Sequence, residues 1–299
     1  MSSQPLVSIV LPTHNGSRYL EQAIQSCVDQ TYPNWELIVV DDASTDSTPQ
    51  ILAHFVKADS RIRSVRHEQN RKLPAALNSG FELAEGEYLT WTSDDNLYRP
   101  QAIEKMLAFL ERQPRISLVY TDYTTIDDAG NETMKVKVAS PDQLTSWNPV
   151  GACFMYRREV YKELGDYATD MFLAEDYEFW VRVSCAFHME PLHEDLYLYR
   201  YHDGSLTTQH RQAVRMAHEH VLLRHLVRMS WAGREARWRG YMALLQFAVS
   251  RRDYRAVLAH AYSALMCDSF VTGRKFIRTL IPKSARRLYA RIRSRGRRS

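Results

Sequence analysis

Two pairs of neighbouring aspartates each follow an apolar run: Asp41-Asp42 closes ELIVV, and Asp94-Asp95 comes just after EYLTWTS. Adjacent carboxylates repel one another unless a cation or hydrogen-bond donors offset them. Hard divalent ions are held by one or two carboxylates together with the phosphate oxygens of a substrate, so two such pairs in one cleft would suit a metal-diphosphate ligand. Each pair alone has a plainer reading, since Asp after a strand is a common turn former and helix cap. A third acidic stretch, FLAEDYEFWVRV, sets Glu175-Asp176 ahead of Tyr177, Trp180, Val181 and Ser184 at helical spacing. Acids in the first turn of a helix gain about 0.3–1 kcal/mol from its dipole; that explains the acids but not the aromatic residues around them.

Convergence of these residues depends on the elements that carry them. VSIVL (residues 7–11) is a β-branched run closed by Pro12, and Leu20, Ala23, Ile24, Cys27 and Val28 then recur at helical spacing, which predicts strand, turn and helix. ELIVV (residues 36–40) repeats the strand, and Thr48-Pro49 supplies an N-cap and first-turn proline for a helix carrying Ile51, Leu52, Phe55 and Val56. Residues 62–67, 88–91 and 118–122 read as further strands; LPAALNSGFELA and the segment with Ile103, Met106, Leu107 and Leu110 read as helices. Alternation of this kind predicts an α/β fold, a parallel sheet flanked by helices, because parallel neighbours need crossover connections. Ligands of such open sheets bind at the carboxyl ends of the strands, so both aspartate pairs are expected to face one crevice. From about Thr208 only helices are expected, two of them (residues 235–250 and 255–266) forming a hairpin like one tetratricopeptide unit; one copy cannot build a solenoid. The expected organisation is an α/β domain over residues 1–207, an all-α appendage over 208–268 and a basic tail over 269–299.

The chain has no G-x-G-x-x-G after its first strand and no G-x-x-x-x-G-K-[ST], so a dinucleotide fold and a P-loop lose their main support. The first turn is instead PTHNG, whose Asn15 and Gly16 suit tight backbone geometry beside a ligand. VSIVLPTHNGSRYLEQAIQSCVDQTYPNWELIVVDDASTDST, then ALNSGFELAEGEYL, TSDDN and LAEDYEFWVRVS, together resemble an inverting family 2 glycosyltransferase of GT-A fold, in order and spacing, over roughly the first 205 residues.

That resemblance implies a mostly parallel, Rossmann-like sheet and a nucleotide-sugar donor, UDP- or dTDP-linked, attacked by a hydroxyl of a glycan or lipid-linked acceptor. It places Pro12, Thr13, Asn15 and Asp42 around the nucleotide base; a carboxylate at Asp42 suits the N3–H of uracil or thymine. It sends Lys72, with Arg71 beside it, to the diphosphate, Asp94 to the ribose or the metal and Asp95 to the metal, Mn²⁺ or Mg²⁺, which acts as a Lewis acid on the departing nucleoside diphosphate. The family's usual D-x-D is S-D-D here. Asp176 becomes the base that deprotonates the acceptor. Arg200 and His202, in YRYHDGSLT, close over the diphosphate or metal, although a His before Asp-Gly is also an ordinary turn residue. NPVGACFMYRREV forms the acceptor side, with Gly151 and Ala152 small enough for a sugar to approach, while Cys153, Phe154 and Met155 read as core. Trp91, Trp147 and Trp180 offer stacking faces, though lone aromatics are more often core. Two other classes stay open: a nucleotidylyltransferase, which would normally carry a glycine-rich basic loop after strand one, and a catalytically silent nucleotide-sugar binder at a membrane.

Bulk properties fit a soluble protein of 299 residues, 45% hydrophobic and 25% charged. Cys27, Cys153, Cys185 and Cys267 show no metal-ligand spacing and suggest no disulfide framework, which fits a reducing, cytoplasmic setting. No signal peptide and no run of 18 apolar residues is recognised, so secretion and membrane spanning are not expected. The net charge of +4 divides into −7 for residues 1–268 and +11 for the tail, which holds eleven Lys and Arg and no acid. Within the tail Ala285, Leu288, Tyr289 and Ile292 fall on one helical face, the pattern of a basic amphipathic helix on an anionic inner membrane face. A solvated tail and a nucleic-acid patch compete with that reading; no nucleic-acid motif accompanies the tail, so nucleic acid is not expected as a partner.

Overall fold

The computed structural model describes residues 4–267; the basic tail lies outside the described residues. In chain order the elements begin β1 (Val7–Thr13), α1 (Leu20–Val28), β2 (Trp35–Asp41), α2 (Thr48–Ala58), β3 (Ile62–Arg66), α3 (Leu73–Leu83) and β4 (Tyr88–Trp91). They continue β5 (Leu97–Tyr98), α4 (Ala102–Arg112), β6 (Ile116–Ile126), β7 (Glu132–Val136), β8 (Phe154–Arg157), α5 (Arg158–Leu164), α6 (Glu175–Ala186) and β9 (His188–Arg200). Helices α7 (Leu206–Gln209), α8 (Arg211–His225), α9 (Arg234–Arg251) and α10 (Tyr254–Cys267) close the described part.

The sheet runs β3-β2-β1-β4-β8-β6-β9-β5, with β7 paired to β6. From β3 to β4 it is parallel, as the strand-helix alternation implies. Beyond β4 it is mixed: β8 lies antiparallel to both β4 and β6, and β6 runs parallel to β9. Strands β1 and β2 are buried throughout, which explains their continuous apolar runs, since both faces are covered. Because β2 and β4 flank β1 on opposite sides, the chain order reverses at β1, and the crevice at the carboxyl ends of β1 and β4 is the topological switch point where open sheets bind ligands.

Two compact units divide at Met229/Ser230. The first therefore takes in α7 and α8 besides the sheet, past the boundary at residue 207 drawn from sequence; α8 packs on α6. The second contains α9 and α10, joined through Arg252 in the left-handed region, and holds its own small core of Trp238, Met242, Leu245, Ala261 and Ala264.

Close approach of α3 to the sheet needs Gly80, where a Cβ would collide with the Val10 side chain and come within 3.2 Å of Val40 Cγ2. Gly80→Leu is expected to lower the unfolding free energy by about 1–3 kcal/mol or more through overpacking; an unchanged denaturant midpoint would show that α3 can move off the sheet freely.

Candidate active site

At the switch point, Thr13 ends β1 and its hydroxyl donates to Asp94 Oδ2 at 2.5 Å. Gly16 makes this contact possible: a Cβ there would fall on the Asp94 carboxylate and on Thr13 Oγ1. Burial, and next the charge of Asp95, push the Asp94 carboxyl well above the ordinary aspartate range. Asp95 Oδ2 lies 3.0 Å from His202 Nε2, while Asp95 Oδ1 is buried with no hydrogen-bond partner. An unpartnered carboxylate oxygen beside a second acid and an imidazole is a donor set that fits Mn²⁺ or Mg²⁺, the remaining positions going to water and substrate phosphate. Among the described residues no group of three or more acid, His or Cys side chains is gathered for a metal, so the protein's share of such a site is small.

Asp42 is 3% exposed and already engaged. Its Oδ1 accepts from Arg71 N at 2.8 Å and faces His67 Nδ1 at 2.7 Å, and its Oδ2 accepts from Lys72 N at 2.8 Å. One acceptor position of the carboxylate stays open. Asp42 thus anchors the segment that presents Lys72, whose backbone has φ 73 and ψ 163, a region that non-glycine residues rarely enter. Lys72 itself is exposed, with its Nζ 6.0 Å from the Phe172 ring. Asp41 departs from the expectation that both members of the pair face the crevice. Its carboxylate accepts from Ser44 N at 2.8 Å and Arg66 Nη1 at 2.5 Å, capping the turn after β2. Pro12 is buried in β1, opposite Val40. Asn15, at φ 56, stitches the turns after β1 and β2 together: its N–H donates to Ser44 Oγ and its Oδ1 accepts from Thr45 N, at 2.9 and 2.8 Å.

Arg200 requires a correction. The resemblance sends it to the diphosphate, but the guanidinium is buried at 2% exposure and its donors are directed at protein carbonyls. Nε donates to Asp95 O at 2.9 Å, Nη1 to Asp127 O and Asp128 O at 3.3 and 3.2 Å, and Nη2 to Gln22 Oε1 at 2.9 Å, with Tyr19 beneath it at 4.5 Å. It is a strut that fixes the Ser-Asp-Asp turn from behind. The ring of His202 lies edge-on to the same Tyr19, 5.0 Å away.

Asp176 sits in the first turn of α6. Its Oδ1 accepts from Tyr177 N at 2.6 Å and its Oδ2 from Asn148 Nδ2 at 2.8 Å. Burial raises its pKa, against a lowering by the charge of His218 on α8, whose ring lies 5.0 Å from Tyr177. Burial holds His218 below the usual histidine value, and the neighbouring Glu175 is pushed up by burial and by Asp176. The helix of Asp176 is keyed to the acidic turn through aromatic contacts: Trp91 Nε1 donates to Tyr167 OH at 3.2 Å, and Tyr167 stacks on Phe179 of α6 at 4.3 Å. Trp91 and Trp180 are therefore core, whereas Trp147, next to Asn148, is 47% exposed.

The glycosyl transferase family 2 model matches residues 8–165, more than half of the chain. The chain belongs to glycosyl transferase family 2. Among its relatives in Bacillus subtilis (strain 168), the teichuronic acid biosynthesis glycosyltransferase TuaG is 36% identical over 143 residues, 48% of this chain and 56% of TuaG. The glycosyltransferase EpsE is 32% identical over 188 residues, 61% of this chain and 68% of EpsE. The chain thus spans little more than half the length of TuaG. Its fold is that of Staphylococcus aureus TarS 1–349 in complex with UDP (TM-score 0.61, 17% identity, 81% of this chain and 72% of that one). It is likewise that of the mannosyltransferase PcManGT from Pyrobaculum calidifontis in complex with GDP-Man and Mn²⁺ (TM-score 0.57, 18% identity, 91% and 83%).

This family 2 chain holds site partners that sequence reading missed. His67 braces Asp42, Asn148 holds Asp176, Tyr167 joins α6 to β4 and His218 faces Asp176 from α8. Left-handed backbone at Asn15, Ala43, Lys72 and Leu173, near the aspartates, is a further mark of the site. Asn148 was visible inside the quoted acceptor segment; the others carry no motif. Gly16→Ala is expected to leave the melting temperature nearly unchanged but to weaken UDP binding in the presence of Mn²⁺ at least about tenfold, as read by calorimetry. Equal affinity would show that Asp94 need not sit where Thr13 holds it.

Proposed function

We propose that this enzyme moves a sugar from a UDP- or dTDP-linked donor to an acceptor hydroxyl with inversion, using a divalent ion, in the synthesis of a surface polysaccharide or glycolipid. The observation that carries the reading is the acidic edge at the switch point, where Thr13, Asp94, Asp95 and His202 converge and Asp95 Oδ1 has no partner. Asp42 offers its free acceptor position to the base of the nucleotide, and Lys72 lies exposed on the segment that Asp42 anchors, suited to a diphosphate. Asp95, with Asp94 and His202 beside it, would hold the ion. When bound, Mn²⁺ or Mg²⁺ supplies Lewis-acid stabilisation of the departing nucleoside diphosphate. Asp176 takes the proton of the acceptor hydroxyl on one carboxylate oxygen, while Asn148 and the Tyr177 N–H keep that carboxylate oriented. Its raised pKa makes it a stronger base than an exposed aspartate. Trp147 gives an exposed face against which an acceptor sugar can stack. The name of TuaG, which refers to teichuronic acid biosynthesis, and the Mn²⁺ of the PcManGT complex agree with polysaccharide synthesis and a divalent ion.

Residues 269–299 would attach the enzyme to the anionic inner face of a membrane, where each Lys or Arg contributes about 1 kcal/mol. Among the described residues no helix is long and apolar enough to cross a membrane.

A donor panel of UDP- and dTDP-sugars, read as hydrolysis and transfer with Mn²⁺ or Mg²⁺, tests the reading; no turnover of any donor by a protein that binds UDP would mark a silent binder. Asp95→Ala and EDTA are both expected to abolish transfer. Asp176→Asn should keep donor affinity and lose about 10²–10⁴ in turnover, and normal turnover would remove Asp176 from the role of base. Because the base acts ionised, kcat/KM should rise with pH along a limb above the ordinary aspartate range. His218→Leu removes the charge that lowers the Asp176 pKa, so that limb should move to higher pH; a limb that stays or moves down would exclude the coupling.

A further inference from the structure

The second compact unit carries a charge that the whole-chain value conceals. From residue 230 onward the sequence has seventeen Lys and Arg against three acids, whereas residues 1–229 hold 32 of the 35 acids and 22 of the 39 basic residues. The unit is therefore strongly cationic, and the family profile, which ends at residue 165, does not cover it.

Its last described helix buries only a narrow strip. Ala261 and Ala264 of α10 pack against Trp238, Met242 and Leu245 of α9. The opposite side exposes large apolar groups: Tyr254 at 75%, Leu258 at 72%, Tyr262 at 64% and Met266 at 70%. These four recur at every fourth residue, so they form one stripe along the helix, and Leu265, 41% exposed, borders it. Solvent-facing apolar stripes of this length mark an interaction surface. Charge and composition select the partner. The one charged residue of α10 is basic, Arg255, and beyond Asp268 the sequence continues into residues 269–299 with their eleven basic residues. Paired tyrosines with leucine and methionine, bordered by Arg255, match the boundary between headgroups and acyl chains, where amphipathic tyrosine is enriched and an arginine can reach the phosphates.

We propose that α10 is the inserting element of a membrane-docking unit, its Tyr254-Leu258-Tyr262-Met266 stripe entering the headgroup boundary of an anionic bilayer while Arg255 beside it meets lipid phosphate. This rests on the membrane reading of the basic tail but assigns apolar insertion to the folded helix. The tail then supplies most of the electrostatic attraction, and the apolar stripe of α10 supplies the part of the affinity that salt does not screen.

The test uses the full chain with vesicles of phosphatidylcholine containing phosphatidylglycerol, read by co-sedimentation at low and high salt. Leu258→Glu/Tyr262→Glu alters only exposed side chains and leaves donor hydrolysis unchanged. It is expected to lower the partition coefficient about tenfold or more and to render the residual binding fully salt-sensitive. Co-sedimentation of the variant equal to that of the unaltered chain would overturn the insertion of α10 while leaving the tail reading in place. Failure of the unaltered chain to bind anionic vesicles would overturn both. A lipid-free dimer by light scattering that the double substitution dissociates would assign the stripe to a second copy of the chain and overturn the proposal.

Discussion

A sheet that delivers four aspartates to one edge has to find a partner for nearly every carboxylate oxygen it takes from water, because an ionised group buried without one costs several kcal/mol. Asp41 is satisfied by Ser44 and Arg66, Asp42 by His67 and the Arg71 and Lys72 amides, and Asp94 by Thr13. Asp95 has His202 on one oxygen and nothing on the other. The loops around the crevice are placed by these obligations, and the one left unmet among the four aspartates, at Asp95 Oδ1, is where the proposed cation would sit. Local structure, charge and candidate chemistry follow from the same constraint.

Arg200 shows how far that placement reaches. One guanidinium binds the backbone of the acidic turn, the turn of the β6–β7 hairpin and Gln22 of α1. Its planar fork of donors meets several carbonyl groups at once, a task that the compact ammonium of lysine cannot match. A cation that the resemblance sends to the diphosphate thus works as structure, whereas Lys72, next to Arg71, stays exposed on strained backbone.

Much of this was legible in the chain itself. The β-branched runs and the apolar spacing after them gave the order β1 to α4, and the aspartate pairs at strand ends located the crevice, because side-chain periodicity and strand termini are local properties. Partner choice was not legible. Asp42 meets His67 across 25 residues, Asp95 meets His202 across 107, and Arg200 meets Gln22 across 178. No local pattern reports which oxygen faces which donor over such separations. The mixed half of the sheet was hidden for a related reason, since β8 is four residues long and its direction is set by its neighbours. Helix α8 reads from sequence as part of an appendage because helical spacing says nothing about which body a helix joins, yet it brings His218 to Asp176.

The aromatic contact between β4 and α6 has a bearing on how the site comes into being. Trp91, Tyr167 and Phe179 bind the strand before the acidic turn to the helix that carries Asp176, and all three are buried. The acidic turn and the helix of Asp176 consequently belong to one cooperative core, and opening one side exposes rings that the other side needs covered. A chain that had assembled the β4 side alone would leave these aromatic faces in water, so a half-folded species with the acidic turn formed and α6 detached is a poorly populated state.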